Sequence, residues 1–576
     1  MNVAEQLVEV LVQTGVRRVY GVVGDSLNPI VDAIRRADGI EWVHVHNEEA
    51  GALAASAEAQ LTGTLAVCAG SSGPGNTHLI QGLYDANRSS APVLAIASHI
   101  PTHQIGTSFF QETRPEWLFM DASVWCQTLS GADQMPRMPR IAIQEALASQ
   151  GVSVLVVPGN VADLEVSRPT GPAVVCVERG RVSPPPSQVR QLADAINAAE
   201  TVTLFCGAGV RGAHAEVMDL ARATGAPIGH SLRGKEWIQH DNPYDVGMNG
   251  LLGYGACYDA VHEAELLVLL GTDFPYDTFL PGQRTAQVDD HAGHLGRRTA
   301  LEVAVHGDVR ETLRALAPLV DRKASKAFLS DMLRRHERAL RRVVEAYTGD
   351  RGQRTPIHPE HVADVLDELA ADDAVFTVDT GMNNVWAARY LTPNGRRRVL
   401  GSFVHGTMAN ALPHAIGAAS TFPDRQVVAM SGDGGLSMLL GELLTARLHD
   451  LSLTVVVFNN STLGLVDLEM LVEGFPSYGT ALGAVDFAGI ATAAGLEGIR
   501  IEDPADVRTG LAKALASPGP TVVDVVTDPY ALSVPPHVTG QQIRGFATAA
   551  GKTVLEGGVG KMLDIARSNL RNLGAL

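Results

Sequence analysis

Residues 427–464, VVAMSGDGGLSMLLGELLTARLHDLSLTVVVFNNSTLG, decide how the chain is read. A β-branched run stops on a turn of glycines that contains an acid, Asp433. A helical stretch follows, then a second apolar run that closes on two amides, Asn459 and Asn460. Strand, turn, helix and strand in this order build a parallel sheet covered by helices. Ligands of such sheets sit at the carboxyl ends of the strands, so Asp433 and Asn460 are expected at a ligand edge. Helix N–H groups beside Asp433 suit a phosphate, but a carboxylate there repels one unless a cation lies between. Magnesium resolves the conflict, because it takes oxygen ligands and bridges protein oxygens to a diphosphate. Asn460 offers a neutral oxygen, and the STLG turn after it offers backbone carbonyls. Glycine and asparagine also fill ordinary turns. The specific signal is GDGG paired with NN, 27 residues from Asp433 to Asn460, each closing an apolar strand.

An earlier part of the chain repeats this order. LAVCAG (65–70) leads into SSGPGN, a helix from His78 to about Arg88, and the strand PVLAIA (92–97). The two regions read as distant copies whose strand ends face one cleft. Two stretches break the strand–helix rhythm: RVSPPPS (181–187), a stiff proline linker, and GDRGQRTPIHP (349–359). The expected fold class is therefore α/β, with three doubly wound parallel-sheet domains over residues 1–180, 188–345 and 355–530 and a tail over 531–576.

A chain of 576 residues exceeds one core. Its net charge of −18 argues against nucleic acid as a partner, since phosphate binding needs a basic face. The basic runs 334–342 and 396–398 are expected to be solvated surface. Cys68, Cys126, Cys176, Cys206 and Cys257 are scattered and form no C-x-x-C pair, which suits reduced thiols in a cytosolic protein. The N-terminus, MNVAEQLVEVLVQTGV, reads as an amphipathic helix and not a signal peptide. The apolar runs are too short to cross a bilayer.

GDG followed by NN resembles the signature of thiamine-diphosphate enzymes. The resemblance extends along GVVGDSLN (21–28), AEAQLTGTLAVCAGSSGPGN (57–76), PVLAIASHIP (92–101), LRGKE (232–236), DNPYDVGMNGLLG (241–253), LLGTDFPY (269–276) and GSFVHGTMANA (401–411). It narrows to the pyruvate:quinone oxidoreductases, the flavin-containing pyruvate oxidases. It implies that the three domains bind the aminopyrimidine, FAD, and the diphosphate with magnesium, in that order. Glu48, in HNEEAGALAASAEAQ, is then the catalytic carboxylate that hydrogen-bonds the aminopyrimidine. By its residues alone, Glu48 could equally be an acidic helix start. Asn47 departs from the histidine that usually precedes this Glu. Gly406, Thr407 and Met408 match the segment that holds the aminopyrimidine. Asp433, Asn460 and the Thr462 carbonyl match the magnesium ligands. Gly434 and Gly435, with Asn460, Ser461, Thr462, Leu463, Gly464, Leu465 and Val466, match the diphosphate cradle. Asn249, Gly250, Leu251, Leu252, Thr272, Asp273, Phe274, Pro275, Tyr276 and Asp289 fall where relatives bind FAD. GAGVRG (207–212) is a formal dinucleotide motif, but no acid closes the next strand to grip a ribose. Leu465 stands where quinone-reducing relatives carry an aromatic that helps electrons pass to the flavin. His44 and His46 share a strand face without a third ligand nearby and are expected to be structural.

In the last residues, Met562, Leu563, Ile565, Ala566, Leu570 and Leu573 fall on one helical face. Lys561, Asp564, Arg567, Ser568 and Arg571 fall on the other. The resemblance makes this an interfacial helix that covers the active site at rest and binds anionic lipid on activation. The implied function is oxidative decarboxylation of pyruvate to acetate and carbon dioxide, with electrons passing through FAD to a membrane quinone. The implied location is the cytoplasm, with peripheral attachment to the cell membrane. The implied assembly is a homo-oligomer, at least a dimer and by family habit a tetramer. Two alternatives stand beside it: an acetohydroxyacid synthase-like carboligase with non-redox FAD, and a catalytically silent flavoprotein recruited to membrane.

Overall fold

The computed structural model describes residues 1–166, 180–531, 540–555 and 559–569. It contains three α/β units, each built on a parallel sheet. The first sheet has six strands between Arg18 and Pro158, and the third has six between Val375 and Val526. Both run in the spatial order 2-1-3-4-6-5, and every pairing in both is parallel. The two glycine turns quoted above each follow the third strand of their own sheet: Ala66–Gly70 in one, Val427–Gly432 in the other. The central sheet has seven strands in the order 4-3-2-1-5-6-7, with an antiparallel pair at one edge, where Tyr254 faces Met248.

Two local expectations are revised. The helix after SSG begins at Pro74, four residues before His78, because proline suits the first helical turn. The stretch after GDGG is not one helix but two, Asp433–Met438 and Glu442–Leu448, parted at Leu439–Gly441. Gly441 weakens helix propagation there, and the break turns Glu442 toward the first domain.

Within one chain the first and third domains meet helix against helix, not strand edge against strand edge. The helix Glu48–Thr62 is nearly all small residues and is buried on almost every side. Its backbone lies so close to the helix Ala411–Thr421 that a Cβ on Gly417 would overlap the Ala54 carbonyl. On its other side, Gly82 of the helix Pro74–Arg88 meets Ala52 in the same way. A helix that is apolar all round belongs in a shared core. One continuous core accordingly joins Tyr20, Leu83 and Val154 to Ile416, Val455 and Phe487. A buried pair locks the seam: His414 Nε2 lies 3.2 Å from Asp85 Oδ2, which also accepts from Ser56 Oγ.

The first helix, Val3–Gln13, opens with a capping box made by Asn2 and Glu5. Cys68, Cys126, Cys206 and Cys257 are free thiols, and Cys176 lies outside the described residues. Burial pushes Cys68 up to about 12, so it is inert. Among the described residues no helix is long and apolar enough to cross a membrane.

Candidate active site

Asp433 opens its helix directly after the extended Gly432, which places its carboxyl at the carboxyl end of the strand Val427–Gly432. Oδ1 accepts from the Gly434 N–H at 2.9 Å. Oδ2 is buried and has no hydrogen-bond partner among the described residues. Burial pushes this carboxyl up to about 6. A buried acid oxygen without a donor is a site a cation would stabilise. The adjacent strand Thr454–Asn459 runs parallel, with Gly432 opposite Phe458, so the two strands end side by side. There the paired amides divide their roles. Asn459 is buried and donates to Asp524 Oδ1 at 2.8 Å and to the Val485 carbonyl at 2.9 Å. Asn460 is half-buried, and its Oδ1 accepts from the Thr462 N–H at 3.1 Å, shaping the turn that carries Ser461 at φ 57. Asp433 and Asn460 with the Thr462 backbone form an oxygen-rich edge that fits magnesium and a diphosphate.

The rest of the expected cradle gathers here. A Cβ on Gly434 would meet the Leu463 side chain at 2.7 Å and Met408 Cε at 3.3 Å, so any larger residue at 434 would close the floor. A Cβ on Gly464 would come 3.0 Å from the Asn460 amide nitrogen. Gly406 sits at φ 79, in the left-handed region that favours glycine. Thr407 Oγ1 accepts from Gln81 Nε2 of the first domain at 2.7 Å. Val466 points outward and is 42% exposed. Asp379, which the sequence did not single out, lies beneath Gly435, where a Cβ would overlap its carboxylate. It accepts from the Asn410 N–H at 2.9 Å and from Ser431 Oγ at 2.7 Å. One carboxylate thus ties the 406–411 segment to the strand Val427–Gly432, just before Asp433. Burial raises it to about 6.

Glu48 is the first residue of its helix, and Asn47 is the N-cap, its Oδ1 accepting from the Glu49 N–H at 2.9 Å. The departure at 47 therefore retains a capping job. The Glu48 side chain is 8% exposed, and its Oε2 lies 2.9 Å from His78 Nδ1. A Cβ on Gly75 would come 2.9 Å from Glu48 Oε1, so glycine leaves that oxygen its room. Among the described residues, no hydrogen bond or ion pair joins Glu48 to Asp433, Asn460 or the 406–408 segment. His44 and His46 stack edge-on at 5.5 Å, and no three-residue metal cluster of His, Cys, Asp or Glu occurs among the described residues.

A cavity of about 1140 Å³ opens between the domains. It exceeds the ~300–1,000 Å³ of ordinary small-molecule sites and has room for a dinucleotide. Asn249, Leu251, Leu252, Thr272, Asp273, Phe274, Pro275, Tyr276 and Asp289 line it, and Gly250 packs behind them at φ 102 against Phe274. Met382, Gly406 and Leu465 of the third domain line the same space, whereas Glu48, Asp433 and Asn460 do not. The strand after GAGVRG, Ile228–His230, carries no acid. Asp289 supplies one instead, at the end of Thr285–Asp289, where it accepts from the His291 N–H and lies 3.1 Å from His294 Nδ1. Gly207 and Gly209 have a packing reason: the Gly271–Thr272 backbone fills the place of any Cβ. Arg297 and Arg298, also missed, hold Asp273 at 2.8 and 3.2 Å.

The tail forms two helices, Gly540–Leu555 and Val559–Ser568, and Phe546, Ile565 and Asn569 line the cavity. The expected faces need correction. Leu563, placed on the apolar face, is 53% exposed, while Ser568, placed on the polar face, is 6% exposed. The reason is polar anchoring: Ser568 Oγ donates to Asp528 Oδ2, its carbonyl accepts from Tyr347 OH, and Asn569 donates to the Tyr530 carbonyl. Leu570, Arg571 and Leu573 lie outside the described residues.

Comparison with known proteins follows the three sheets. Residues 1–116 match the N-terminal TPP binding domain of thiamine pyrophosphate enzymes, 189–316 the central domain and 379–525 the C-terminal TPP binding domain. A putative thiamine pyrophosphate-containing protein, YdaP, of Bacillus subtilis is 35% identical over 94% of both chains. The pyruvate oxidase of Lactiplantibacillus plantarum is 30% identical, covering 90% of this chain and 87% of its own. Acetolactate synthase isozyme 1 large subunit of Escherichia coli is 29% identical, covering 91% and 94%.

Proposed function

Because the chain belongs to the thiamine pyrophosphate enzyme family, we propose that it decarboxylates pyruvate oxidatively to acetate and carbon dioxide, passing electrons through FAD to a membrane quinone. The observation that carries this reading is the cavity: the residues suited to FAD share it with Gly406 and Leu465 of the thiamine side. Thiamine diphosphate, when bound, supplies the electron sink for decarboxylation, and FAD a two-electron acceptor. The protein's part is to hold and orient. Asp433, Asn460 and the Thr462 carbonyl hold magnesium; Gly434, Gly435 and residues 460–466 cradle the diphosphate; Gly406–Met408 seat the pyrimidine. Glu48 moves the proton on the pyrimidine. Leu465 keeps the apolar wall of the cavity but offers no ring there, so the residue that would help electrons reach a bound FAD in the quinone-reducing relatives is an aliphatic one here.

Since no hydrogen bond or ion pair joins Glu48 to the cradle of its own chain among the described residues, the working unit is read as an oligomer in which one chain's first domain completes another chain's third. Exposed Phe110, Trp117 and Met120 on the first domain, with Phe475 and Tyr478 on the third, are apolar surface suited to that contact. The tail helix brings the enzyme to the cytoplasmic membrane surface on activation. A second reading, acetolactate formation, is supported by the similarity to acetolactate synthases. One assay separates them: purified protein with pyruvate, thiamine diphosphate, magnesium and a quinone analogue, scored for flavin bleaching, acetate and acetolactate. Bleaching with acetate supports the oxidase, and acetolactate without bleaching overturns it.

A further inference from the structure

The helix break at Leu439–Gly441 delivers a third-domain acid to the turn that presents Glu48. Glu442 is 1% exposed, and its Oε2 accepts from the His46 N–H at 3.4 Å and from Thr445 Oγ1 at 2.7 Å. His46 stands two residues before Glu48, in the turn that presents it. His46 Nδ1 closes the loop by meeting Thr445 Oγ1 at 2.7 Å. One helical turn further on, His449 Nε2 meets the His44 carbonyl at 2.9 Å. The strand end at 44–46 is thus held from the third domain at three points.

We propose that Glu442 is a positioning residue for Glu48: its carboxyl fixes the 46–47 turn and sets the electrostatic field in which Glu48 exchanges its proton. The inference rests on the reading of Glu48 as the proton-relay group. Two features support it. First, a buried acid that receives the His46 N–H and the Thr445 hydroxyl, the same hydroxyl that meets the His46 ring, leaves the turn before Glu48 little freedom, so the Glu48 carboxyl is aimed before any ligand arrives. Second, burial pushes Glu442 up to about 7, with the Glu48 charge adding to the rise. The groups facing it are the amides of residues 46 and 47, Glu48, the His46 ring, and Thr445 on its own helix. His44 and His449 stand one step beyond. Near neutrality Glu442 exchanges its own proton, and each charge it gains opposes a charge on Glu48.

The test uses full-length Glu442→Gln, Glu442→Ala and Glu48→Gln proteins beside the parent. Three quantities are read: thiamine diphosphate affinity by calorimetry with magnesium, deuterium exchange at the C2 position of the bound cofactor, and carbon dioxide release from pyruvate across about pH 4 to 8.5, a window that spans the ordinary and raised carboxyl values. Thermal unfolding of the cofactor-free chains is followed over the same range. Glu442→Gln should bind cofactor within about twofold of the parent and lose the inflection near pH 7 in exchange rate. Glu442→Ala, with the turn released, should exchange about tenfold more slowly at unchanged affinity. The cofactor-free parent should lose stability relative to Glu442→Gln as pH rises toward 7, because the folded state holds the Glu442 proton longer than the unfolded state does. Parent-like exchange and pH profile in both Glu442 variants overturn the proposal, as does a loss of affinity in place of exchange. Glu48→Gln separates the two ideas. If it exchanges normally, the Glu48 reading fails; if it is inert while the Glu442 variants are normal, this proposal alone fails.

Discussion

Asn459 and Asn460 are chain neighbours with opposite duties, one locking its strand to Asp524 and the other turned to the ligand edge. The sequence presented them as a pair, and only side-chain direction separates them. Asp433 was legible because its glycine turn is paired with the two amides at a spacing of 27 residues from Asp433 to Asn460, each closing an apolar strand. Asp379 was not, since an acid at a strand end beneath a helix has no local signature, and its partners come from residues 410 and 431. Asp433→Ala should lose magnesium-dependent binding of thiamine diphosphate while the fold is kept; unchanged calorimetric affinity would refute the assignment. Asp379 carries a pH prediction. Its folded carboxyl is raised from 3.8 to about 6, so the folded state holds the proton longer and stability is lost as pH climbs between those values. Asp379→Asn should escape that loss, gaining up to roughly 3 kcal/mol relative to the parent between pH 4 and 7. Urea midpoints at the two pH values measure it, and parallel slopes for both proteins would count against it.

Among elements, the helix Glu48–Thr62 determines most of the architecture. Its Ala and Gly content was visible in the sequence, but composition alone does not say which neighbour uses the smallness. Gly417 and Gly82 answer that, each admitting a second helix backbone. Gly417→Leu should therefore cost about 3 kcal/mol or more in denaturant unfolding, through overpacking at a crossing that cannot widen without opening the shared core. A cost below about 0.5 kcal/mol, typical of a surface change, would mean the crossing adapts. The two-helix form of residues 433–448 was hidden because its apolar periodicity runs across the break at Gly441. The loss mattered: continuous-helix reasoning placed Glu442 nowhere in particular.

At the scale of the molecule, the repeat seen between the first and third domains appears as one strand order used twice. What periodicity could not convey is how the copies pack, nor which side of the tail faces the body. Ile565, Ser568 and Asn569 dock the last described helix on the cavity wall, so that wall is partly borrowed from the chain end. Removing residues 560–576 should abolish co-sedimentation with anionic liposomes and leave reduction of a soluble dye intact or raised. Equal sedimentation of truncated and full chains would assign the helix a purely structural role. That no hydrogen bond or ion pair joins Glu48 to Asp433 within one chain, among the described residues, has a consequence in genetics. If each site takes its acid relay from one chain and its metal edge from another, Glu48→Gln and Asp433→Ala are defects that complement. Two preparations, each dead alone, should regain about a quarter of parental activity when unfolded together and reassembled at random, because half the dimers are mixed and each mixed dimer keeps one sound site. Two alleles that fail separately would then yield active enzyme in the same cell.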